Sequence, residues 1–171
     1  MLKLRKNKKG FTLVELIVVI AIMAVLAGVV AVVTVSQLNK QTNKTGRAQA
    51  KTVADFIASV ALTGENEDDE IKLLKATSAT DATLIFDEEQ LTILVNKQYS
   101  ASSTEIKMNE NPGSGKIGVY LSTDKKQVHV KFSPKGSKAE DGIEYVVSTE
   151  GIVSLPGQIQ TLYKIMQTQY L

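Results

Sequence analysis

The stretch KKGFTLVEL at residues 8–16 decides the fold, because it leads directly into a long apolar run. Residues 16–33 include no charged and no polar side chain, and five basic residues with no acidic one precede Gly10. Residues 11–35 would form a helix roughly 37 Å long, and a bilayer core needs about 20 apolar residues. The sequence therefore predicts a membrane-spanning helix.

The charges that flank this helix predict its orientation. Lys and Arg concentrate on the cytoplasmic side of membrane helices, so residues 1–10 are expected in the cytoplasm and the rest of the chain outside. The Val and Ile content would also suit a buried strand, but such strands have only roughly 4–8 residues. A secretory signal peptide has a shorter apolar core of about 7–15 residues and a small-residue cleavage site, which VVA at residues 29–31 matches poorly.

Glu15 is the one charged residue inside the apolar segment. A carboxylate in a membrane helix costs on the order of 2.5–3.5 kcal/mol and needs a partner. Two interpretations stay open: Glu15 reaches water at the interface, or it pairs with a positive group after assembly. Cleavage between Gly10 and Phe11 would create an α-amino group about one helical turn away in the same chain, and a neighbouring chain could present the same group.

The order of glycine, aromatic residue, Thr-Leu-x-Glu and a long apolar helix resembles the signature of type IV prepilins and of the related pseudopilins of type II secretion and competence systems. The resemblance covers roughly residues 5–60. It implies that a membrane-embedded prepilin peptidase cleaves after Gly10, that the same enzyme N-methylates Phe11, and that Glu15 is the assembly carboxylate. It also implies two further partners, namely identical or related pilin subunits in a helical polymer and a pilus assembly platform.

Many proteins of this family have a proline midway along the apolar helix, and this chain has none there. Gly28 is the candidate weak point, because glycine disfavours a helix by about 1 kcal/mol relative to alanine. The sequence leaves open whether the helix melts near Gly28 on assembly.

The helix is expected to continue to residue 63, where Gly64 would end it, and to be weakest at Gly46. An apolar stripe recurs at helical spacing in its second half, which predicts packing against a head domain. The stripe consists of Val53, Phe56, Ile57, Val60 and Ala61. The expected fold is α+β and type IV pilin-like, with the apolar half of the helix protruding and the amphipathic half packed on an antiparallel sheet. The predicted segments are a leader at 1–10, a transmembrane and filament-core helix at 11–35, its amphipathic continuation at 36–63 and a globular head at 64–171.

Within the head, alternating apolar residues predict two β-hairpins in one antiparallel sheet. The segment 88–97 is ambiguous: an Asp-x-x-Gln start favours a helix, whereas Leu-Thr-Ile-Leu-Val favours a strand, and we prefer the helix. The other expected elements are a short helical turn at 71–76, a tight turn at 111–115, hairpins at 119–132 and 143–155, and a C-terminal helix at 158–171.

No catalytic, metal or cofactor site is predicted. The acidic run at 65–70 offers oxygen ligands for calcium, but it lacks the spacing of a calcium loop and favours a solvated loop. The Gly-x-Gly-x-x-Gly pattern at 113–118 precedes a strand rather than a helix, and the Asn-x-Thr pattern at 43–45 falls inside a helix. His129 is the single histidine and there is no cysteine, so no zinc or thiol site is expected. The absence of cysteine fits a Gram-positive source.

Removal of residues 1–10 changes the net charge from +2 to −3, which does not indicate a nucleic-acid-binding surface. The sequence favours a structural protein over an enzyme: a type IV pilus subunit that lies in the cytoplasmic membrane before assembly and in a surface filament afterwards. The resemblance implies roles in adhesion, motility, biofilm formation or DNA uptake, without choosing among them or between major and minor subunit. The alternatives are a pseudopilin and an uncleaved, membrane-tethered binding module.

Overall fold

Helix α1 runs from Leu13 to Thr63 and is the longest element of the computed structural model, which describes residues 10–66, 70–77, 82–136 and 142–155. The chain divides into two units, Met1–Lys40 and Gln41–Leu171. Gly64 ends the helix in the left-handed conformation, with φ of +82°, and its N–H donates to the Val60 carbonyl at 2.9 Å. The predicted single helix and its glycine stop are confirmed.

Gly46 is not the weak point that its helix propensity suggests. The helix continues through this residue, which is buried. The ring of Phe132 occupies the position that a side chain at Gly46 would need. The glycine is there because a strand of the sheet approaches the helix closely, so tertiary packing outweighs its intrinsic preference.

In the described part of the chain, nine short strands and a second helix follow α1. They are β1 (Glu65–Asn66), β2 (Ile71–Lys72), β3 (Leu74–Ala76), β4 (Leu84–Phe86), α2 (Glu88–Tyr99), β5 (Ile106–Lys107), β6 (Lys116–Leu121), β7 (Gln127–Ser133), β8 (Ile143–Ser148) and β9 (Val153–Ser154). β1 pairs with β2, β3 pairs with β4, and the remaining five strands form one sheet in the order β5-β6-β7-β8-β9.

The five-stranded sheet is antiparallel except at one edge. β6 and β7 pair through Val119↔Val130, and β8 and β9 pair through Val147↔Val153, so both predicted hairpins are confirmed. β5 runs parallel to β6 over two residues, which the prediction of a purely antiparallel sheet did not include. The tight turn before β6 is also confirmed, with Gly113 and Gly115 both at positive φ.

Residues 71–76 form strands, so the predicted helical turn there is wrong. Ile71 and Leu73 are buried while Lys72 between them is exposed, an alternation that suits a strand. Leu74 pairs with Phe86 across β3 and β4, and the Asp87 N–H donates to the Leu73 carbonyl at 2.8 Å. The partner of Leu74 comes twelve residues later in the chain, so a contact outside the local sequence decides the conformation of β3.

The preferred helical interpretation of residues 88–97 is confirmed by α2. Asp87 is its N-cap residue, and one carboxylate oxygen accepts hydrogen bonds from the Glu89 and Gln90 amides at 3.0 and 3.3 Å. Capping of this kind stabilises a helix by about 1 kcal/mol. The predicted C-terminal helix at 158–171 lies outside the described residues.

The core of the second unit lies between the amphipathic part of α1, α2 and one face of the five-stranded sheet. Along β7 the side chains alternate between half-buried and fully buried, as expected of a strand with one face on a core. The α1 residues in the core are Ala50, Val53, Ala54, Ile57, Ala58, Val60 and Ala61. The sheet residues in it are Ile117, Val119, Val128, Val130, Phe132 and Val147.

Candidate functional site

The start of α1 brings together the residues that the sequence singled out. Gly10, Phe11 and Thr12 precede the helix, which begins at Leu13. Gly10 is exposed, and the Phe11 side chain is 88% exposed. The peptide bond between Gly10 and Phe11, the predicted cleavage point, therefore lies outside the helix.

Thr12 and Glu15 form a capping box at this helix start. The Thr12 amide and the Thr12 hydroxyl both donate to Oε2 of Glu15, at 2.8 and 2.7 Å. In return, the Glu15 amide donates to the Thr12 hydroxyl oxygen at 3.3 Å. The Thr-x-x-Glu spacing is the sequence signal for this arrangement. Thr12 is therefore a hydrogen-bond partner for Glu15 within its own chain. From its charge alone, only water and a positive group are expected as partners of this carboxylate.

The segment that follows is apolar on all sides and open to its surroundings. Between Phe11 and Val35 every described side chain is exposed, and Glu15 is the one charged residue. The hydroxyl of Thr34 donates to the Val30 carbonyl at 2.8 Å, so the helix itself satisfies this polar group. By length and composition α1 can cross a membrane.

Gly28 lies in an uninterrupted part of α1. Apart from its chain neighbours and the adjacent backbone of α1, no atom of the described residues lies within 4 Å of the place where a side chain at Gly28 would begin. Unlike Gly46, Gly28 is not required by a close contact. The assignment of Gly28 as a weak point of the helix stays a prediction.

The other sequence motifs lie in structural contexts. Asn43 lies within α1, where its amide group donates to the Lys135 carbonyl at 3.1 Å and accepts from the Lys135 N–H at 2.7 Å. The glycine pattern at 113–118 is a turn followed by β6. In the acidic run, Glu65 and Asn66 form β1 and Glu70 has a φ of +54°, while residues 67–69 lie outside the described part.

His129 belongs to a cluster that sequence reasoning missed. Its Nδ1 lies 2.7 Å from Oε1 of Glu144, and the Tyr120 hydroxyl donates to the same oxygen at 2.7 Å. The rings of Tyr120 and His129 stack with centroids 4.9 Å apart. The three residues come from β6, β7 and β8, so the register of the sheet brings them together; the sequence offers no local signal for this.

The electrostatics of this cluster follow from partial burial and hydrogen bonding. Burial alone would raise the pKa of Glu144, but the hydrogen bonds from Tyr120 and His129 and the charges of His129 and Lys131 hold the pKa of this carboxyl below its usual value. Burial, and then the hydrogen bond to Glu144, raises the pKa of the Tyr120 hydroxyl. Through the Glu144 carboxylate, the cluster joins three strands of the sheet.

Comparison with known protein families gives one finding at the amino terminus. Residues 5–31 match the family model described as the prokaryotic N-terminal methylation motif. Comparison with curated proteins and with solved structures gives no match. The matched residues include the non-helical residues at the predicted cleavage point, the capping box and most of the apolar helix.

Proposed function

We propose, from the methylation motif at residues 5–31, which is the leader signature of type IV pilins and prepilins, that this chain is the structural subunit of a type IV pilus. The observation that carries the proposal is the arrangement at the start of α1. A non-helical Gly10–Phe11 bond precedes a capped helix whose first part, up to Val35, is apolar on every side and long enough to cross a membrane. A second unit with its own core follows.

Maturation changes the charge balance of the chain. In the proposal, prepilin peptidase cleaves after Gly10 and methylates the new α-amino group of Phe11. The lost leader contains five basic residues, which hold the amino terminus on the cytoplasmic side. Their removal leaves a helix end that can leave the bilayer and enter a filament.

Assembly then buries the exposed apolar side chains of α1 against the same segment of neighbouring subunits. Glu15 would pair with the Phe11 α-ammonium group of a neighbour in this low-dielectric core. A buried ion pair contributes only when its geometry is good, so the pair would fix the register between subunits as well as adding stability. The pilus assembly platform would supply the site of polymerisation.

Two alternatives predict different observations. A pseudopilin would undergo the same processing but form a short structure within the cell envelope instead of a long surface filament. An uncleaved, membrane-tethered binding module would keep Lys8 and Lys9. The methylation motif favours a processed subunit. The length of the assembled polymer would distinguish a pilus subunit from a pseudopilin.

The decisive experiment is the mass of the amino-terminal peptide from filaments sheared off the cell surface. We expect a peptide that begins at Phe11 and carries one methyl group. An intact leader, with the protein found only in the membrane fraction, would contradict the proposal and favour the tethered module.

Substitution of Glu15 tests the register. We expect Glu15→Val to be cleaved and retained in the membrane but not polymerised, because the valine cannot pair with an ammonium group. The readouts are the amino-terminal mass in the membrane fraction and the amount of sheared filament. Normal filaments from Glu15→Val would contradict the register function.

A further inference from the structure

One edge of strand β6 is paired over only part of its length. β6 runs from Lys116 to Leu121 and pairs with β7 over this whole range. On its other side, β5 accompanies it only as far as Gly118. In the part of the chain that the structure describes, no strand pairs with residues 119–121 on that side. The position where β5 would continue is therefore open.

The backbone at the end of β6 directs its polar groups to this open side. The Ile117 N–H donates to the Glu105 carbonyl at 2.9 Å, so the backbone groups of Ile117 face β5. The Ser122 N–H donates to the Gln127 carbonyl at 2.9 Å, on the side of β7. Successive residues of a strand face opposite sides, so the N–H and C=O of Leu121 face the open side. An open strand edge is a template for another strand.

The chain leaves this edge because the segment after β5 crosses the face of the sheet that is opposite the core. Gly118 lies between two core residues of β6, so a side chain there would point to this outer face. It would collide with the Asn109 carbonyl oxygen and lie against Pro112. The segment therefore packs over Gly118 and does not continue beside β6.

A groove of about 310 Å³ lies along the open edge. Leu121 and its neighbours in β6 line one side, and Leu91 and Thr92 of α2 line the other. Met108, the residue directly after β5, also lines the groove. Its volume is within the range of ligand sites in proteins, which is about 300–1,000 Å³.

We propose that this groove binds an extended segment of another polypeptide, which adds to the sheet as a strand beside the end of β6. The added strand would occupy the position that β5 leaves, with α2 beside it. In strand addition, main-chain hydrogen bonds supply affinity and alternate side chains supply specificity. All the elements involved belong to the second unit, so the inference does not depend on how α1 assembles.

The lining of the groove indicates the chemistry of the bound segment. Leu91 and Val119 are fully buried and Met108 is partly buried, so an apolar side chain is favoured at alternate positions of the segment. The charged groups of the lining, Lys125 and Glu88, already pair with each other at 3.2 Å. Because these charges neutralise each other, the expected partner is an uncharged strand.

The experiment uses the peptide acetyl-Thr-Val-Thr-Val-Thr-amide, which is uncharged and alternates in the required way. It is titrated into the isotope-labelled full chain in detergent micelles, and the backbone amide signals are followed by heteronuclear NMR. We expect saturable shifts of the Leu121 and Thr92 signals and slower hydrogen exchange of the Leu121 amide. The signals of β1 and β2, which do not line the groove, should not move.

A methylated peptide tests the hydrogen bonds of the added strand. The same sequence is made with two successive central amide nitrogens methylated, so that one of them faces β6 in either register. We expect this peptide to bind about fivefold more weakly, because it cannot donate the hydrogen bond to the edge. Equal affinity of the two peptides would overturn strand addition.

Thr92→Phe tests the groove itself, because the larger ring would fill it. The Thr92 hydroxyl donates to the Glu88 carbonyl within α2, at 2.8 Å, so the substitution breaks no hydrogen bond to another element. Gln98→Phe is the control, since Gln98 is exposed on the same helix and does not line the groove. We expect Thr92→Phe to abolish the shifts at Leu121 and Gln98→Phe to retain them.

Three results would overturn the inference. The first is the absence of saturable shifts at Leu121 when the peptide is added to the unaltered chain. The second is undiminished peptide binding by Thr92→Phe. The third is a shift at Leu121 that depends on the concentration of the chain itself without peptide, which would assign this edge to a second copy of the chain.

Discussion

The ring of Phe132 lies where the side chain of any residue other than glycine at position 46 would have to begin. Both residues are buried, one in the middle of α1 and the other on the central strand β7. The backbone of α1 at Gly46 therefore packs directly against the Phe132 ring, and this contact sets the distance between the helix and the sheet. Gly46 fixes this packing.

Gly46→Ala should destabilise the head by about 1–3 kcal/mol, because overpacking of a core outweighs the better helix propensity of alanine. The measurement is urea unfolding of the full chain in detergent, followed by the near-ultraviolet circular dichroism of its tyrosines. The chain has no tryptophan to obscure this signal.

Gly28→Ala is the control for this substitution. It makes the same chemical change in the same helix, at a position where nothing described, other than the adjacent backbone of α1, lies within 4 Å of the added carbon. The unfolding midpoint of the head should stay unchanged. Equal midpoints for both alanine variants would show that the contact with Phe132 does not limit stability.

Asn43→Ala should lower the free energy of unfolding of the head by about 1 kcal/mol, because two hydrogen bonds to the Lys135 backbone are lost. These bonds tie α1 to the segment that follows β7. The same urea titration checks the prediction. Thr45→Ala is the control, since it removes the Asn-x-Thr pattern and keeps Asn43; a loss of stability in that variant as well would point to a different cause.

The cluster around Glu144 should make the head less stable in acid. The pKa of Glu144 is lower in the folded protein than its ordinary value of 4.5. A carboxyl of this kind stabilises the fold above the unfolded pKa, and its contribution is lost as the pH falls through the folded pKa. The unfolding midpoint of the unaltered chain should therefore fall below pH 4.5.

Glu144→Gln should reduce the steepness of this acid dependence, because glutamine does not titrate. Thermal unfolding, measured at about ten pH values between about 3 and 7 and followed by the near-ultraviolet circular dichroism of the tyrosines, would show the difference. Glu150→Gln, on the exposed turn between β8 and β9, is the control and should retain the acid dependence. Identical profiles for the unaltered chain and Glu144→Gln would exclude Glu144 as its source.

Elements with local signals could be predicted from the sequence. Gly64 ends α1, Asp87 begins α2, and the turn between β6 and β7 closes with the Ser122 amide donating to the Gln127 carbonyl at 2.9 Å. In each case the decisive residues lie within five positions of one another. The start of α1 belongs to the same class, since Thr12 and Glu15 are three residues apart.

Features that depend on distant partners could not be predicted. β5 pairs with β6 over only two residues, and β3 depends on its pairing with β4. Gly46 looks like a weak point until the position of Phe132 is known. The contact of His129 with Glu144 likewise requires the pairing of β7 with β8, which brings the two strands into register.

A second glycine contact lies further along the same helix. A side chain at Gly151, in the turn between β8 and β9, would collide with Leu62 and with the Ala58 carbonyl oxygen. The α1 residues at the two contacts, Gly46 and Ala58, are about 18 Å apart along the helix axis. An insertion or deletion of one residue between them would rotate one contact by about 100° relative to the other. This interval of α1 should therefore have a fixed length in any functional descendant of this chain, even where its exposed side chains change freely.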